Sequence, residues 1–234
     1  MQNQQPSTLK EIRVHGTQDF PCAFYQTGTR IRGNMAKHHW HEEVELLYFS
    51  GGEFCLEINM ERFEISEECF YFINPGELHS ISVEKNGGCV ENAVVFHMDM
   101  LSSAYALDQI QTNLIQPVQN GSIQFPRCLR KNEPAFEPVR KSYEEIRNVF
   151  GGDSFRENYY DGEAVTDDIT RQLFIKSALL RILAVLSANN LFEVTEKNHD
   201  RRIETIKTTL TYIQENYKEK IYIRDLADQI GRAH

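Results

Sequence analysis

The sequence predicts an α+β protein in which an antiparallel β-barrel precedes a group of helices. Residues 10–98 contain short strand-like segments separated by glycine and proline turns. From Pro134 onward the apolar residues recur with the helical period of about 3.6 instead of the strand period of two. A change in charge balance near residue 200 indicates a further boundary. We therefore predict three units, residues 1–132, 133–199 and 200–234.

The predicted barrel is built from strands of similar length and even spacing. The dipeptides Gly51-Gly52, Pro75-Gly76 and Gly87-Gly88 are turn signals between them. This pattern favours a small barrel or jelly roll over a fold in which strands and helices alternate. The candidate strands are residues 22–31, 40–49, 53–58, 69–73, 79–83 and 89–97.

Two helices are predicted in the second unit. Residues 136–150 have one apolar stripe, and Gly151-Gly152 is a natural stop. Residues 166–189 have two stripes and need two partners: the barrel or preceding helix, and the same helix of a second subunit. A helix buried entirely within one monomer is the alternative. The stripe assigned to dimerisation is Ile175, Leu179, Ile182 and Leu186, and the other stripe is Ile169, Leu173, Leu180 and Leu183.

The third unit begins with a helix predicted over residues 201–217. Asp200 is placed to accept hydrogen bonds from its first amides. A short second helix follows, with Leu226, Ala227 and Ile230 on one side and Gly231 at its end.

Composition limits the classes of function. The net charge is −9, which disfavours nonspecific nucleic-acid binding by these 234 residues. From Asp200 the chain holds seven basic and six acidic residues, whereas residues 1–199 hold 18 and 28. Without a long apolar run or a secretory signal, we expect a cytoplasmic protein with no membrane contact. The five cysteines include no close pair, so we expect small buried hydrophobic residues instead of disulfides.

Four side chains form the candidate site. On an extended strand His39, His41 and Glu45 project to one side, and a Pro-Gly turn brings His79 from a later strand. Imidazoles and a carboxylate suit divalent transition metals in general. The same groups can instead bind each other or a sugar-like effector through hydrogen bonds. We expect Trp40 and Tyr48 nearer the rim or on the opposite sheet.

The pattern His39-x-His41 with Glu45, followed by Pro75-Gly76-x-x-His79, resembles the two signature motifs of the cupin barrel. The order of barrel, helix pair, capped helix and the run from Ile221 to Gly231 resembles the AraC/XylS family of bacterial transcription regulators. The stretch 108–126 is similar to the connector of many such regulators. The resemblance covers about residues 10–234.

This resemblance implies a small-molecule effector, often a sugar, in the barrel, with no metal required, and a homodimer that binds DNA through a helix-turn-helix module. The first helix of that module corresponds to Arg224, Asp225, Leu226, Ala227 and Ile230. We expect the groove-reading helix downstream of His234. Two departures from the family pattern are Tyr222, where a Ser or Thr cap is common, and Glu68-Cys69, where cupins often have Gly-Asp.

Two alternatives are open. A metal-dependent cupin enzyme, a dioxygenase or isomerase, would hold its metal with His39, His41, Glu45 and His79. The helical last third has no use in such an enzyme. A sensor or dimerisation module that acts without DNA is the other alternative.

Overall fold

The computed structural model describes residues 9–29, 32–85, 89–105, 107–151, 168–195 and 201–229, and it confirms the predicted α+β class. The strands are β1 Cys22–Thr29, β2 Gly33–His39, β3 Val44–Phe49, β4 Phe54–Ile58, β5 Glu61–Ile65, β6 Cys69–Ile73, β7 His79–Val83, β8 Cys89–Phe96, β9 Ile123–Gln124, β10 Cys128–Arg130 and β11 Glu193–Val194. The α-helices are α1 Gln116–Gln119, α2 Phe136–Val149, α3 Ile169–Ala188, α4 Arg201–Asn216 and α5 Ile223–Gln229. Met98–Leu101 is a 3₁₀-helix and Gln111–Ile115 a π-helix.

Two antiparallel sheets face each other. One has five strands in the order β1-β8-β3-β6-β10, and the other has four in the order β2-β7-β4-β5. Alternate residues of the strands point between the sheets, as the pleat requires. Leu47 and Val95 from the larger sheet and Leu56 and Ile81 from the smaller one belong to this inner core. The predicted barrel or jelly roll is thereby confirmed.

The outer face of the five-stranded sheet is covered by helices. Leu46 and Phe70 on this face share one hydrophobic cluster with Tyr143 of α2 and Ile182 of α3. The helix α2 has the predicted single stripe, and Gly151 follows it with φ +83°, a conformation that favours glycine. Tyr48, expected near the rim or on the opposite sheet, packs here, with its ring centroid 4.9 Å from that of Tyr143.

The dimerisation stripe assigned to α3 is wrong. Those four residues are at most 3% exposed because they pack toward α2 and the barrel within one chain: Ile175, Leu179, Ile182 and Leu186. The exposed apolar side chains lie elsewhere on the helix and are 43–71% exposed: Ile169, Leu173, Phe174 and Leu180. The apolar period does not distinguish the two faces, because both carry large aliphatic residues. Asp168 caps the helix by accepting hydrogen bonds from the Thr170 and Arg171 amides.

The predicted strand over residues 40–49 is confirmed for Val44–Phe49, but its start at residue 40 is wrong. β2 ends at His39 in the smaller sheet, and β3 begins at Val44 in the larger sheet. Residues 40–43 therefore cross from one sheet to the other, and we call them the crossing. Strand alternation does not explain why His39 and Glu45 meet. They converge because the two sheets face each other.

Five of the described strands escaped prediction: β2, β5, β9, β10 and β11. All five are edge strands, since β2 and β5 border the four-stranded sheet, β10 borders the five-stranded sheet, and β9 and β11 form a two-stranded sheet. Edge strands carry polar residues that protect them from pairing with other chains, so they lack a clear apolar alternation. The pairing of β2 with β7 also has register shifts around Ala36, which breaks the period of two.

The C-terminal helices agree with the prediction where they are described. α4 ends one residue before the predicted Tyr217. At α5 the Asp225 carboxylate accepts a hydrogen bond of 3.4 Å from the Tyr222 amide, which supplies a cap in place of the missing Ser or Thr. The predicted features at Thr166, Asp200, Ile230, Gly231 and Gly87-Gly88 lie outside the described residues. None of the described helices is long and apolar enough to cross a membrane.

The turn before β7 holds His79 in place. Gly76 has φ +78°, and its amide donates to the His41 carbonyl at 2.7 Å, which ties the turn to the crossing. The Glu77 carboxylate accepts from the Asn74 amide at 2.8 Å and from Arg127 Nη1 at 2.6 Å. Glu77 is buried while the Arg127 side chain is 28% exposed, so water screens this ion pair less than one at the surface.

We predict that Leu179→Ala lowers the free energy of unfolding by about 2–5 kcal/mol, because it leaves a cavity in the core. Leu107→Ala, at an exposed leucine, should change it by less than about 0.5 kcal/mol. Denaturant unfolding measures both. Unchanged stability of the Leu179→Ala chain, together with loss of a dimer, would restore the original assignment of this stripe.

We also predict that Glu77→Ala lowers the free energy of unfolding by about 3 kcal/mol, because Arg127 then loses its partner in a mostly buried position. The matched control is Glu84→Ala, which removes the partner of the half-exposed Arg62 and should cost about 0–1 kcal/mol. Denaturant unfolding measures the loss of free energy of unfolding in each of the two variants. Equal effects would mean that the turn does not depend on the buried pair.

Candidate functional site

The candidate site is a pocket between the two sheets, and the empty space in it, including the solvent at its open mouth, is about 540 Å³. One end is lined by imidazoles and carboxylates, and the walls include Ile81, Ala93 and Val95. Tyr25 and Glu91 also face it. This combination of apolar walls with a few convergent polar groups is typical of small-molecule sites.

The structure brings together all four side chains of the predicted site: His39, His41, Glu45 and His79, here called the quartet. His39 and His79 are paired on β2 and β7, with ring centroids 4.2 Å apart. Glu45 extends from β3, and its Oε2 lies 3.0 Å from His79 Nε2 and 3.4 Å from His41 Nε2. His41 belongs to the crossing. The quartet thus draws on both sheets and the segment between them.

Backbone carbonyls orient the three imidazoles of the quartet. His39 Nδ1 lies 2.7 Å from the Lys37 oxygen, His79 Nδ1 2.8 Å from the Glu77 oxygen, and His41 Nδ1 3.2 Å from the Glu43 oxygen. A proton on each Nδ1 donates to these carbonyls, so the neutral imidazoles have their lone pairs on Nε2, whereas a protonated His41 donates from Nε2 to Glu45. Metal-binding histidines are commonly held in this way.

Electrostatics favour a neutral imidazole beside an ionised carboxylate. Burial, and then the neighbouring His79, lower the pKa of His39 to about 4. Burial alone would raise the pKa of Glu45, but His41 and His79 lower it well below its usual value. The pKa of His41 is raised, since the hydrogen bond and charge of Glu45 outweigh the effect of burial.

The residues of the quartet fit a divalent transition metal. Ligand atoms of the three histidines lie within 4.8 Å of one another. His79 is 1% exposed, and its Nε2 has no hydrogen bond among the described residues, although Glu45 is near. A buried imidazole nitrogen without a partner is unfavourable unless a ligand satisfies it. Three nitrogen donors and one oxygen donor are a set that such metals accept.

Sequence reasoning missed further polar residues at the cavity. Glu11 and His15 precede β1, in a segment without strand periodicity, so no pattern indicates them. His15 Nδ1 lies 2.8 Å from the Tyr25 hydroxyl. Alternation along β8 places Glu91 inward with Ala93 and could have indicated it. Burial, and then the charge of Glu45, raise the pKa of Glu91 well above its usual value.

Trp40 lies in the crossing between His39 and His41 and contacts two lysines. Lys10 Nζ is 5.0 Å and Lys207 Nζ 4.5 Å from the ring centroid. Lys207 belongs to α4 and is only 9% exposed. The contact therefore joins the site-bearing segment to the first C-terminal helix. Of the residues assigned to the DNA module, Arg224, Asp225, Leu226 and Ala227 lie on α5, and Ile230 lies outside the described residues.

Comparison with known proteins gives both a sequence relative and solved structures. The chain is 26% identical over 227 residues to the uncharacterized HTH-type transcriptional regulator YdeC of Bacillus subtilis (strain 168), covering 94% of this chain and 69% of that protein. ToxT from Vibrio cholerae is similar over 90% of this chain and 71% of its own, with 10% identity and a TM-score of 0.40. A predicted oxalate decarboxylase from Thermotoga maritima matches 32% of this chain and 64% of its own, with 25% identity and a TM-score of 0.30.

The family comparison covers the barrel and the first large helix. The profile of the family described as AraC-like ligand binding domain matches residues 24–148, which is more than half of the chain. These residues include most of β1, all of β2 to β8 and nearly all of α2, with the whole quartet among them. This chain belongs to the AraC-like ligand binding domain family.

Proposed function

We propose that the chain is the sensing part of a ligand-responsive transcription regulator that is not an enzyme. A small molecule binds in the barrel, and its presence alters the contact between the barrel and the C-terminal helices. The family membership of residues 24–148 supports this proposal most directly. The similarity to a protein named as a transcriptional regulator, over 94% of the chain, supports it further.

The effector we propose is a small molecule with polar groups at both ends, and a carbohydrate is one class that fits. The quartet supplies one polar end of the cavity. Glu91 supplies the other: its side chain is buried and faces the pocket. The raised pKa of Glu91 favours its protonated form, which can donate a hydrogen bond, for instance to a hydroxyl oxygen.

We propose that the quartet can hold a divalent transition metal through its three Nε2 atoms and the Glu45 carboxylate. Such an ion would act as a Lewis acid that binds an oxygen of the effector. The chain's own residues orient the ligands: the backbone carbonyls fix the imidazoles, and the Glu77 turn fixes His79. Without an ion the same side chains serve as hydrogen-bonding groups for the effector.

The Trp40 contact is the route we propose from the cavity to α4. His39 and His41 face the site while Trp40, between them, contacts Lys207. Lys207 also lies at the turn that carries His79, since a Cβ added at Gly76 would be 3.9 Å from its Nζ. Any shift of the crossing or the turn on binding therefore acts on α4. A cupin enzyme would use the same quartet but has no role for this contact, which favours the regulator.

The proposed regulator also pairs as a homodimer, and each of its three units has its own role. The exposed apolar residues of α3 form a surface through which the chain would pair as a homodimer, including Leu173 and Phe174. Residues 1–132, 133–199 and 200–234 then serve for effector binding, dimerisation and the start of the DNA-binding module. A regulator of this kind acts on cytoplasmic DNA.

A gel-shift comparison tests the proposed function. The product of the whole natural gene should shift DNA from upstream of that gene, and an unrelated sequence of equal length should not compete. These 234 residues alone should give no specific shift, because the α5 residues at best reach phosphates and the net charge is −9. Specific binding by the 234 residues would mean that the DNA-reading element is misplaced. Failure of the whole gene product to bind any upstream site would contradict the regulator.

A further inference from the structure

We propose that Glu11 and His15 form, together with His41, a second binding position for a divalent transition metal beside the quartet. We call these three residues the N-terminal triad. The inference concerns residues outside the predicted site, and it extends the metal part of the proposed function to the segment before β1.

The distances within the triad suit ligands of one ion. The ligand atoms of the three residues lie within 4.8 Å of one another. Glu11 Oε2 is 3.5 Å from His15 Nε2. Two ligands bound at about 2.1 Å in a tetrahedral site are about 3.4 Å apart, so this separation matches without rearrangement. As a hydrogen bond, in contrast, 3.5 Å is long.

His15 gives an independent indication of a ligand. It is 4% exposed, and its Nε2 has no hydrogen-bond partner among the residues that the structure describes. Its other nitrogen, Nδ1, is held by the Tyr25 hydroxyl at 2.8 Å. A partner on Nδ1 and a free, buried Nε2 directed at a carboxylate are the features expected of a metal-binding histidine.

The backbone holds the N-terminal segment in register with the crossing. The Trp40 amide donates to the Leu9 carbonyl and the Glu11 amide donates to the Trp40 carbonyl, both at 2.9 Å. Glu11 is thereby fixed beside the histidines that flank Trp40, and its Oε2 also lies 3.5 Å from His39 Nε2. The triad therefore adjoins the quartet directly.

His41 belongs to both the quartet and the triad, so the two positions cannot each bind a metal ion at the same time. Its Nδ1 faces the Glu43 carbonyl, so Nε2 is the ligand atom in each case. One lone pair binds one ion. The quartet and the triad are therefore alternative positions for a single ion, and the intact chain should hold about one ion, not two. An ion in the triad would tie the N-terminal segment to the barrel.

Titration with Co²⁺ tests the triad, with absorption spectra and elemental analysis as readouts. His79→Ala removes one ligand of the quartet but leaves all three of the triad, so this variant should still bind one Co²⁺ with an affinity about tenfold or more below that of the wild type. Adding Glu11→Gln or His15→Gln to His79→Ala should abolish this residual binding. Both glutamine substitutions preserve side-chain polarity, and circular dichroism checks that the variants fold.

The matched control is His38→Ala in the same His79→Ala background. His38 is a partly exposed histidine whose Nε2 is 2.9 Å from Glu57, outside both positions, so its loss should leave Co²⁺ binding unchanged. If His79→Ala alone abolishes binding, or if neither glutamine substitution weakens the residual binding, the triad is rejected and the quartet stands. If the wild type does not bind Co²⁺, both metal positions are rejected. The proposed function as a transcription regulator does not depend on this result, because the gel shift tests it separately.

Discussion

The short crossing between the two sheets is the constraint on which the rest of the site depends. Because β2 ends in one sheet and β3 begins in the other, residues 40–43 pass over the end of the barrel. His41 then faces inward and Trp40 contacts α4 through Lys207. The Gly76 turn and the N-terminal segment are both hydrogen-bonded to this crossing. One segment thus positions ligands from the barrel, the turn and the N-terminus.

The polar groups inside the barrel lower the stability of the fold, and binding of a ligand to them explains their presence. A barrel core of this size is stable with apolar residues alone, whereas buried carboxylates and unpaired imidazole nitrogens are unfavourable. Here the Nε2 atoms of His15 and His79 are buried without a hydrogen bond among the described residues, and the side chain of Glu91 is buried as well. Concentrations of such groups in one cavity are typical of functional sites.

The sequence motif identified the four residues of the quartet correctly, although the single extended strand expected to carry three of them is not present. His39, His41, Glu45 and His79 do converge, but through two facing sheets and not along one strand. The helix α2 was predictable since its apolar period is clean, whereas the two faces of α3 look alike in sequence and burial alone distinguishes them. Glu11 and His15 were not predictable, because only tertiary contact brings a segment without periodicity to the cavity.

The site in the cavity is coupled to α4 through Trp40 and Lys207. Calorimetric titration with Zn²⁺ tests this coupling, because it measures the affinity of the site with and without the α4 contact. Coupling is reciprocal, so removing the α4 contact must change affinity at a site it does not touch. We predict that Lys207→Met alters the Zn²⁺ affinity about fivefold or more. Lys220→Met, which removes a similar lysine contact to Tyr222 away from the barrel, should leave it unchanged. Equal Zn²⁺ affinities in the wild type and the Lys207→Met variant would contradict the account.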